Sequence, residues 1–286
     1  YSQLDWYRDD YYPRGRTGNG ISGRGQGEWN DYISFMKAQL TELLTNYGEI
    51  GGIWFDGEWD QFKWDGKRFG EPMADFKLEE VYSLIHKLQP QALIGSNHHL
   101  APNPGEDFQM FEKDLPGRST KSFATSADDI GNLPLEVCET INGSWGFNLK
   151  DRKHKSKKEL VQYLIKAAGY DSNLLLNVGP MPNGKIQEEH IKSLKEIGDW
   201  IKVNGETIYG TIRGPIDPTD EIASTQKDNT IYIHLLDNRK TYFIEGYNPK
   251  IKKISYYHSN KKVKYQKTKS GLIINVDDNE LDEIDT

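Results

Sequence analysis

Gly51-Gly52-Ile53-Trp54-Phe55-Asp56-Gly57-Glu58-Trp59 is the stretch from which the fold can be worked out. A short apolar run bounded by glycines is typical of a buried strand, and here glycine follows directly after an acid. Asp56 is therefore predicted to close a strand. In parallel barrels the strand C-termini form the active face, which makes a carboxylate there a candidate for catalysis. A turn aspartate after a core strand explains the local pattern equally well.

Aromatic side chains are dense in and after this stretch. They are Trp54, Phe55, Trp59 and Trp64. Flat rings of this kind suit stacking against the apolar face of a sugar ring. Aromatic residues make up 12% of the chain, a share that carbohydrate contact explains but that a large core explains too.

The composition narrows the class of partner. The chain has 286 residues, enough for one barrel-sized domain with a small partner or for two medium domains. Lys and Arg total 36 against 43 Asp and Glu, which gives a formal charge of −7. Because phosphate binding needs a basic surface, nucleic acid is not expected as a partner. Cys138 is the one cysteine, so no disulfide can form within the chain.

The sequence also bears on membrane contact and on the extent of the chain. No apolar run approaches the roughly eighteen residues of a membrane-spanning helix, and the first residues carry no basic-then-apolar signal pattern. We therefore expect no membrane partner. Tyr1 to Trp6 resembles the end of a strand and does not begin with methionine, so we expect a part of a longer protein.

A glycine-rich segment, residues 15–27, separates the first residues from the first helix. Gly18 to Gly23 matches G-x-G-x-x-G, but a dinucleotide site needs a strand directly before this motif and a helix opening within it. Neither is predicted here, because Pro13-Arg14 precedes the motif and more glycine follows it. We expect a surface loop over the active face instead.

Helices and strands alternate over the first three quarters of the chain. Apolar residues at helical spacing follow Asn30, the predicted N-cap. Further predicted helices are 78–88, 157–168 and 187–202, and further strands are 92–95, 135–142 and 173–180. This alternation predicts parallel βα units.

From about Arg213 the pattern changes to short alternating strands with Lys and Asn turns, including 251–258. No helical period survives there, which indicates a small antiparallel β domain. We therefore divide the chain into a catalytic βα portion, residues 1–212, and a C-terminal β domain, residues 213–286. The acidic end, residues 277–286, is expected to fray.

Three further carboxylates lie in or near predicted strand ends. Glu112 lies in the long connection after His98 and His99, while Glu136 and Glu139 flank Cys138. A retaining glycosidase needs one carboxylate as nucleophile and a second as general acid about 5 Å away. Two acids from different strand ends of one barrel meet this need, and Asp56 with one of these glutamates forms such a pair.

Several stretches in the same order resemble the α-L-fucosidases of glycoside hydrolase family 29. The resemblance covers residues 1 to about 213, and several collinear blocks are more specific than any single motif. The stretches are Asp5-Trp6 after a Tyr-Ser pair, Trp54-Phe55-Asp56-Gly57, Glu136-Val137-Cys138, Thr140-Ile141-Asn142-Gly143-Ser144-Trp145-Gly146-Phe147-Asn148, Asn173-Leu174-Leu175-Leu176-Asn177-Val178-Gly179-Pro180 and Asn183-Gly184-Lys185-Ile186.

The resemblance implies a retaining exo-fucosidase with a (β/α)8-like (TIM) barrel and a C-terminal antiparallel β-sandwich. Asp56 resembles the family nucleophile, and Glu112 resembles the acid/base. A solvated loop glutamate paired with Lys113 is the structural alternative for Glu112, and Glu136 is the alternative acid/base. No cofactor is implied. The family implies a fucosylated glycan as substrate and a secreted, periplasmic or lysosomal location.

Five residues are candidates for substrate contact. Trp145 resembles the aromatic residue that packs on fucose, although a core tryptophan is the alternative. His98 and His99 stand where the family commonly has a polar or basic residue, often arginine, so the chain departs from the family there. Adjacent residues on a strand end point opposite ways and no third ligand is spaced to join them, so no metal is expected. Tyr1 resembles a substrate-facing tyrosine, and Trp54 adds an aromatic ring.

The resemblance leaves out the start of the family barrel. Three strands, with an early His-Trp pair and a His-His pair that hold fucose hydroxyls, precede the Asp5-Trp6 motif in the family. Their loss would leave unpaired strand edges. A removed segment and a truncated variant are both open interpretations. A catalytically impaired barrel remnant that binds glycans, or an orphan protein, is therefore the alternative to an enzyme.

Overall fold

The computed structural model describes residues 1–18, 27–64, 69–98, 100–118 and 130–286. These residues form two compact units, Tyr1–Val137 and Cys138–Thr286. In order, the first unit contains helix α1 (Trp29–Asn46), β1 (Gly52–Asp56), β2 (Phe62–Trp64), β3 (Phe69–Pro72), α2 (Leu78–Leu88), β4 (Leu93–Asn97), β5 (Gln109–Glu112) and the start of β6 (Leu135–Thr140). The observed helices and strands of this unit thus lie close to the positions that the sequence predicts.

The centre of the first unit is a parallel pair of strands. β1 pairs with β4 in a register that sets Asp56 beside Asn97. On the other side of β1, Ser2 forms a parallel bridge with Asp56, and Gln3 N donates to the Asp56 carbonyl at 2.7 Å. The first residues therefore run along β1, where the sequence predicts the end of a strand.

One face of β1 packs on the helices and the other carries the polar residue. Ile53 and Phe55 are buried in a cluster with residues of α1 and α2 such as Met36 and Val81. Since side chains alternate along a strand, Trp54 and Asp56 share the opposite face. Both are partly buried. The apolar alternation thus turns Asp56 away from the helices.

The start of α1 differs from the prediction. The helix begins at Trp29, Glu28 is its N-cap residue, and no side chain caps its end. Asn30, the predicted N-cap, lies inside the first turn. Trp29 is drawn into the helix because its ring packs on Tyr11, Tyr32 and Phe76 of the apolar cluster.

In the second unit two helices and a strand precede the antiparallel strands. They are α3 (Lys157–Gly169), β7 (Ser172–Asn177) and α4 (Glu188–Asn204). A capping box at Ser156 and Glu159 satisfies the first backbone donors of α3. Residues of both helices, among them Ile165 and Ile197, share one apolar cluster with Ala223 of the following strands. Because this cluster joins them, the helices and strands form a single unit.

Two antiparallel three-stranded sheets follow. The first has the order β10-β9-β8 and the second the order β11-β13-β12. Their strands are β8 (Ile212–Arg213), β9 (Ile222–Lys227), β10 (Thr230–Leu235), β11 (Thr241–Glu245), β12 (Lys264–Lys267) and β13 (Gly271–Asn275). The predicted change to antiparallel strands near residue 213 is confirmed. The predicted strand over 251–258 is wrong, since Ser255 forms only an isolated bridge to Lys262.

The acidic end of the chain is ordered, against the expectation of fraying. Thr286 and Leu235 exchange two backbone hydrogen bonds of 3.1 and 3.2 Å, so the end pairs with β10. Asp285 Oδ2 lies 2.7 Å from Nδ1 of His234, and both side chains are buried. These partners lie far away in the sequence, which is why composition alone pointed to a frayed end.

The architecture is mixed α/β. The described residues, with gaps at 19–26, 65–68, 99 and 119–129, form several small sheets and no closed barrel. By contacts the chain divides inside β6, whereas the predicted boundary at 212/213 marks the change in strand type and stays a prediction. Within the described segments, no helix has both the length and the apolar character that crossing a bilayer requires.

Candidate active site

Asp56 is the last residue of β1, and the turn after it depends on glycine. Gly57 has φ = 117°, a conformation that side chains disfavour, and a Cβ there would lie 2.7 Å from Leu4 Cγ. A short 3-10 helix, Glu58–Gln61, follows at once. This helix brings the Trp59 indole back over the strand end, where Nε1 donates to Asp56 Oδ1 at 2.9 Å.

Asn97 joins Asp56 to a second carboxyl group. Its Nδ2 donates to Asp56 Oδ1 at 3.4 Å and to Glu112 Oε2 at 2.9 Å. The three residues close β1, β4 and β5. Because one nitrogen contacts both oxygens, these oxygens cannot be farther apart than the sum of the two distances, about 6.3 Å. The structure therefore brings together the two carboxylates that the sequence singles out.

Glu136 lies on β6, and its partner is Trp54. Trp54 Nε1 donates to Glu136 Oε1 at 3.3 Å. Burial raises the pKa of Glu136 above its ordinary value, and the hydrogen bond from Trp54 opposes this shift. The indole that sequence analysis assigns to sugar stacking thus also binds a carboxyl group.

His98 follows Asn97 and is buried. Its Nδ1 accepts from Leu100 N at 3.0 Å, and its Nε2 lies 2.9 Å from Glu106 Oε1. Since Nδ1 accepts an N–H, the neutral ring carries its proton on Nε2 and donates it to Glu106. Both ring nitrogens therefore bind protein groups, and the predicted contact of His98 with substrate stays a prediction.

Glu58 lies beside this histidine and glutamate pair. Asn103 Nδ2 donates to Glu58 Oε2 at 3.2 Å. Burial raises the pKa of Glu58 to about 7. The positive charge that His98 carries when protonated opposes this shift, and the negative charge of Glu106 adds to it. A carboxyl group that is half protonated near neutral pH thus lies two residues from Asp56. Sequence analysis gave it no role.

The remaining predicted contacts fall in different places. The Tyr1 hydroxyl donates to Gln39 Oε1 of α1 at 2.6 Å, and its ring packs edge-on against Phe55. Tyr1 thus faces the helix side of β1. Trp145 belongs to the second unit and is 37% exposed; its carbonyl accepts from Asn177 Nδ2 at 2.7 Å. His99 lies outside the described residues.

A buried carboxylate anchors the start of the glycine-rich segment, residues 15–18. Asp60 Oδ1 accepts from Thr17 N at 2.8 Å and from Thr17 Oγ1 at 2.5 Å. Asp60 Oδ2 accepts from Trp6 Nε1 at 3.1 Å and from the Tyr11 hydroxyl at 3.4 Å. The Arg16 guanidinium also lies over the Trp59 ring, 5.1 Å from its centre.

This anchoring ties residues 15–18 to the turn after Asp56. The predicted cover over the active face, like most of the G-x-G-x-x-G match, falls on residues 19–26 and so lies outside the described residues.

The sequence did not predict the part that three residues play at this site. They are Asn97, Asp60 and, as a donor to Asp56, Trp59. Asn97 follows an apolar strand as Asp56 does, so its place at a strand end was readable, but its partner Glu112 is fifteen residues away. Among the described residues no three His, Cys, Asp or Glu side chains converge to hold a metal ion.

The chain matches a known family over most of its length. A family model described as alpha-L-fucosidase matches residues 1–206. The chain is 29% identical to alpha-L-fucosidase 1 of Arabidopsis thaliana over 188 residues, 60% of this chain and 35% of that protein. It is 32% identical to an alpha-L-fucosidase of Branchiostoma floridae over 207 residues, 62% of this chain and 45% of that one.

Solved structures give the same result. Alpha-L-fucosidase isoenzyme 1 from Paenibacillus thiaminolyticus superposes with a TM-score of 0.76 at 30% identity, covering 100% of this chain and 69% of that one. A Thermotoga maritima alpha-fucosidase in complex with a mechanism-based inhibitor gives 0.66 at 23% identity, with 89% and 55% covered, which shows similarity of fold alone.

These similarities define a glycoside hydrolase fold. The chain belongs to the α-L-fucosidase family. It spans about two fifths or less of the length of the Arabidopsis, rice and Dictyostelium relatives, with 35%, 42% and 41% covered.

Proposed function

We propose that this protein hydrolyses terminal α-L-fucose from glycoconjugates or oligosaccharides with retention of configuration. The observation that carries the proposal is the single amide of Asn97, which contacts the carboxyl groups of both Asp56 and Glu112. Membership of the α-L-fucosidase family supplies the substrate class.

The separation of the two carboxyl groups suits a pair that acts on one glycosidic bond. Retaining glycosidases hold their carboxyl groups about 5–5.5 Å apart, whereas inverting enzymes need about 6.5–9.5 Å to admit a water molecule between sugar and base. The two oxygens that contact Asn97, Asp56 Oδ1 and Glu112 Oε2, are at most about 6.3 Å apart. Because this limit concerns one oxygen of each group, the proposal of retention rests on the resemblance to the α-L-fucosidase family, and the anomer released decides it.

The reaction then proceeds in two displacements. In the first, an Asp56 oxygen bonds to the anomeric carbon while the bond to the leaving oxygen breaks, and Glu112 gives that oxygen its proton. In the second, the Glu112 carboxylate takes a proton from water as the water oxygen bonds to the anomeric carbon and the bond to Asp56 breaks. Two inversions return fucose in its original anomeric configuration.

Glu136 remains the alternative acid. Its pKa is raised by burial, as a general acid at neutral pH requires. However, its described contact is with Trp54, whereas Glu112 shares the Asn97 amide with Asp56. We therefore assign the acid role to Glu112 and give Glu136 the role of orienting Trp54.

The proposed substrate contacts are Trp145, Trp54, His98, His99 and Tyr1. We propose stacking for Trp145 and Trp54, because an indole suits the methyl group and apolar face of fucose. His98 has both nitrogens bound, so its part would be to hold the strand end in place. The Tyr1 hydroxyl would have to leave Gln39 to reach a sugar.

We also propose that residues 1–212 form part of a (β/α)8-like barrel and that residues 213–286 form a β-sandwich. The parallel pairing of β1 and β4 around an intervening helix supports the first proposal. Two antiparallel sheets that contribute to one apolar cluster, including Leu235 and Ile274, support the second.

The direct test is hydrolysis of an aryl α-L-fucoside followed by proton NMR. We expect α-L-fucose as the first anomer released. The β-anomer first would refute retention, and no hydrolysis at any pH would refute the activity and favour a glycan-binding protein.

The role of Glu112 has its own test. Glu112→Ala should hydrolyse substrates with good leaving groups far better than poor ones, because a good leaving group needs no proton. Azide should restore activity, because this anion can attack the anomeric carbon of the glycosyl-enzyme and displace Asp56 without a general base. The matched control is Glu136→Ala. Equal losses on both leaving groups for Glu112→Ala, with selective loss for Glu136→Ala, would move the acid role to Glu136.

A further inference from the structure

We propose that Asn97 is a positioning residue that orients the carboxyl groups of Asp56 and Glu112 and leaves Oδ2 of Asp56 as the oxygen that reacts. This proposal rests on the proposed function. It starts from one juxtaposition, an amide nitrogen within hydrogen-bond distance of both carboxyl groups.

The two oxygens of Asp56 are held differently. Oδ1 accepts from Trp59 Nε1 at 2.9 Å and from Asn97 Nδ2 at 3.4 Å. Both donors draw electron density toward Oδ1 and restrict it to its place beside them. Oδ2 is therefore the oxygen that bonds to the anomeric carbon, and Oδ1 becomes the carbonyl oxygen of the glycosyl ester. Both donors can keep their hydrogen bonds to that carbonyl throughout the cycle.

The same amide restricts the carboxyl group of Glu112. Oε2 accepts the second amide proton of Asn97 at 2.9 Å. One side chain thus contacts both carboxyl groups at the strand ends, so their positions relative to each other depend on it.

The surroundings of Asn97 fix the orientation of the amide. The side chain is buried, with 2% of the residue exposed, and its register partner on β1 is Asp56. The flipped amide would turn Oδ1 toward two carboxyl oxygens, which all accept hydrogen bonds. In the observed orientation Oδ1 is buried with no donor among the described residues. An acceptor left unsatisfied is tolerated because both amide protons are used on the carboxyl groups.

Removal of this amide should act on the reaction rather than on substrate binding. Without Asn97 Nδ2, Asp56 Oδ1 keeps the donor of Trp59, and Glu112 Oε2 loses its contact with the amide. Both carboxyl groups are then less restricted, so the reacting atoms lose their alignment. A residue that only fills space would be replaced by leucine without this loss.

The experiment measures kcat and KM on an aryl α-L-fucoside for the whole chain and for Asn97→Leu and Asn97→Ala. Leucine matches asparagine in size, so one variant keeps the buried volume if the other does not fold. The matched control is Asn103→Ala, which removes an amide from Glu58 instead.

We expect kcat to fall about 100-fold in both Asn97 variants with little change in KM, because the reacting atoms are misplaced rather than the substrate lost. The Asn103→Ala control should keep the kcat of the parent chain. An Asn97→Leu variant with the parent's kcat would overturn the role of Asn97, and so would an equal loss of kcat in the control. A parent chain that hydrolyses no fucoside would instead refute the proposed function.

Discussion

Asp56 and Glu139 are both carboxylates in apolar strands, yet the protein holds them in opposite ways. The donors to Asp56 are an indole and an amide, both neutral. Glu139, at the end of β6, is buried with 1% exposed and lies 3.3 Å from the ammonium group of Lys155. A cation keeps a carboxylate ionised and in place, whereas neutral donors orient it and leave its charge available. The choice of hydrogen-bond donor therefore separates Asp56, which we propose as the nucleophile, from a carboxylate with a structural role.

The largest effect should follow from replacing Asp56, the proposed nucleophile. Asp56→Asn keeps the shape of the side chain but removes the nucleophile, so kcat/KM on an aryl α-L-fucoside should fall about 10⁴-fold or more. The midpoint of thermal unfolding should change little, since the site is partly exposed and its partners are neutral. A kcat/KM within tenfold of the parent value would show that Asp56 is not the nucleophile.

Glu139 should show the converse pattern, because loss of its partner should lower the stability of the protein. Lys155 also donates to the Thr140 carbonyl at 2.6 Å and to the Asn142 carbonyl at 3.3 Å. Lys155→Met should therefore destabilise the protein by about 3 kcal/mol in urea denaturation, because a buried carboxylate loses its cation. Lys202→Met, whose partner Asp199 is exposed, is the control and should cost little. Equal stability of the two variants would contradict the structural role of Glu139.

Glu58 sharpens the comparison, because it is a carboxyl group whose surroundings favour the neutral form. Its pKa is raised to about 7, chiefly by burial. The folded state therefore keeps a proton on Glu58 that the unfolded state releases near the ordinary pKa of a glutamate. The stabilisation is fully present below that ordinary pKa and is lost as pH rises through about 7. Between pH 5 and pH 8 this loss should reach about 2 kcal/mol.

Glu58→Gln should remove most of that pH dependence, because the amide imitates the protonated acid. The measurement is the urea midpoint at both pH values. Glu79→Gln on the surface of α2 is the control and should leave the slope as it is. A Glu58→Gln variant with the parent's pH dependence would show that another group is responsible.

The smallest difference between two variants is expected at the turn that carries Asp56, the proposed nucleophile. Gly57→Ala places a Cβ 2.7 Å from Leu4 Cγ at φ = 117°, so we expect a loss of about 2 kcal/mol. Gly48 has φ = 83° but nothing within 4 Å of an added Cβ, so Gly48→Ala should cost about 1 kcal/mol. Equal losses would mean that backbone strain, and not contact with Leu4, fixes the turn.

The strand ends can be predicted from the sequence better than the hydrogen-bond partners of the residues at those ends. Asp56 and Glu112 could be predicted as site residues because apolar runs and family motifs are local features of a chain. Asn97 as a bridge, and Asp285 as the partner of His234, join residues far apart in the sequence, and no local pattern records such pairings. The N-cap at Asn30 was wrong for the same reason, since the packing of Trp29 decides where α1 begins.

The anchoring of Thr17 by Asp60 has a consequence for engineering. Gly15 has φ = 68°, and a Cβ there would meet Asp60 Oδ2 at 1.9 Å, so the chain up to Thr17 accepts little variation. Asp60 is next to Trp59, which holds the reactive carboxylate. Randomised libraries aimed at a different aglycone should begin after Gly18, because changes up to Thr17 would disturb Asp60 and, through its neighbour Trp59, the proposed nucleophile.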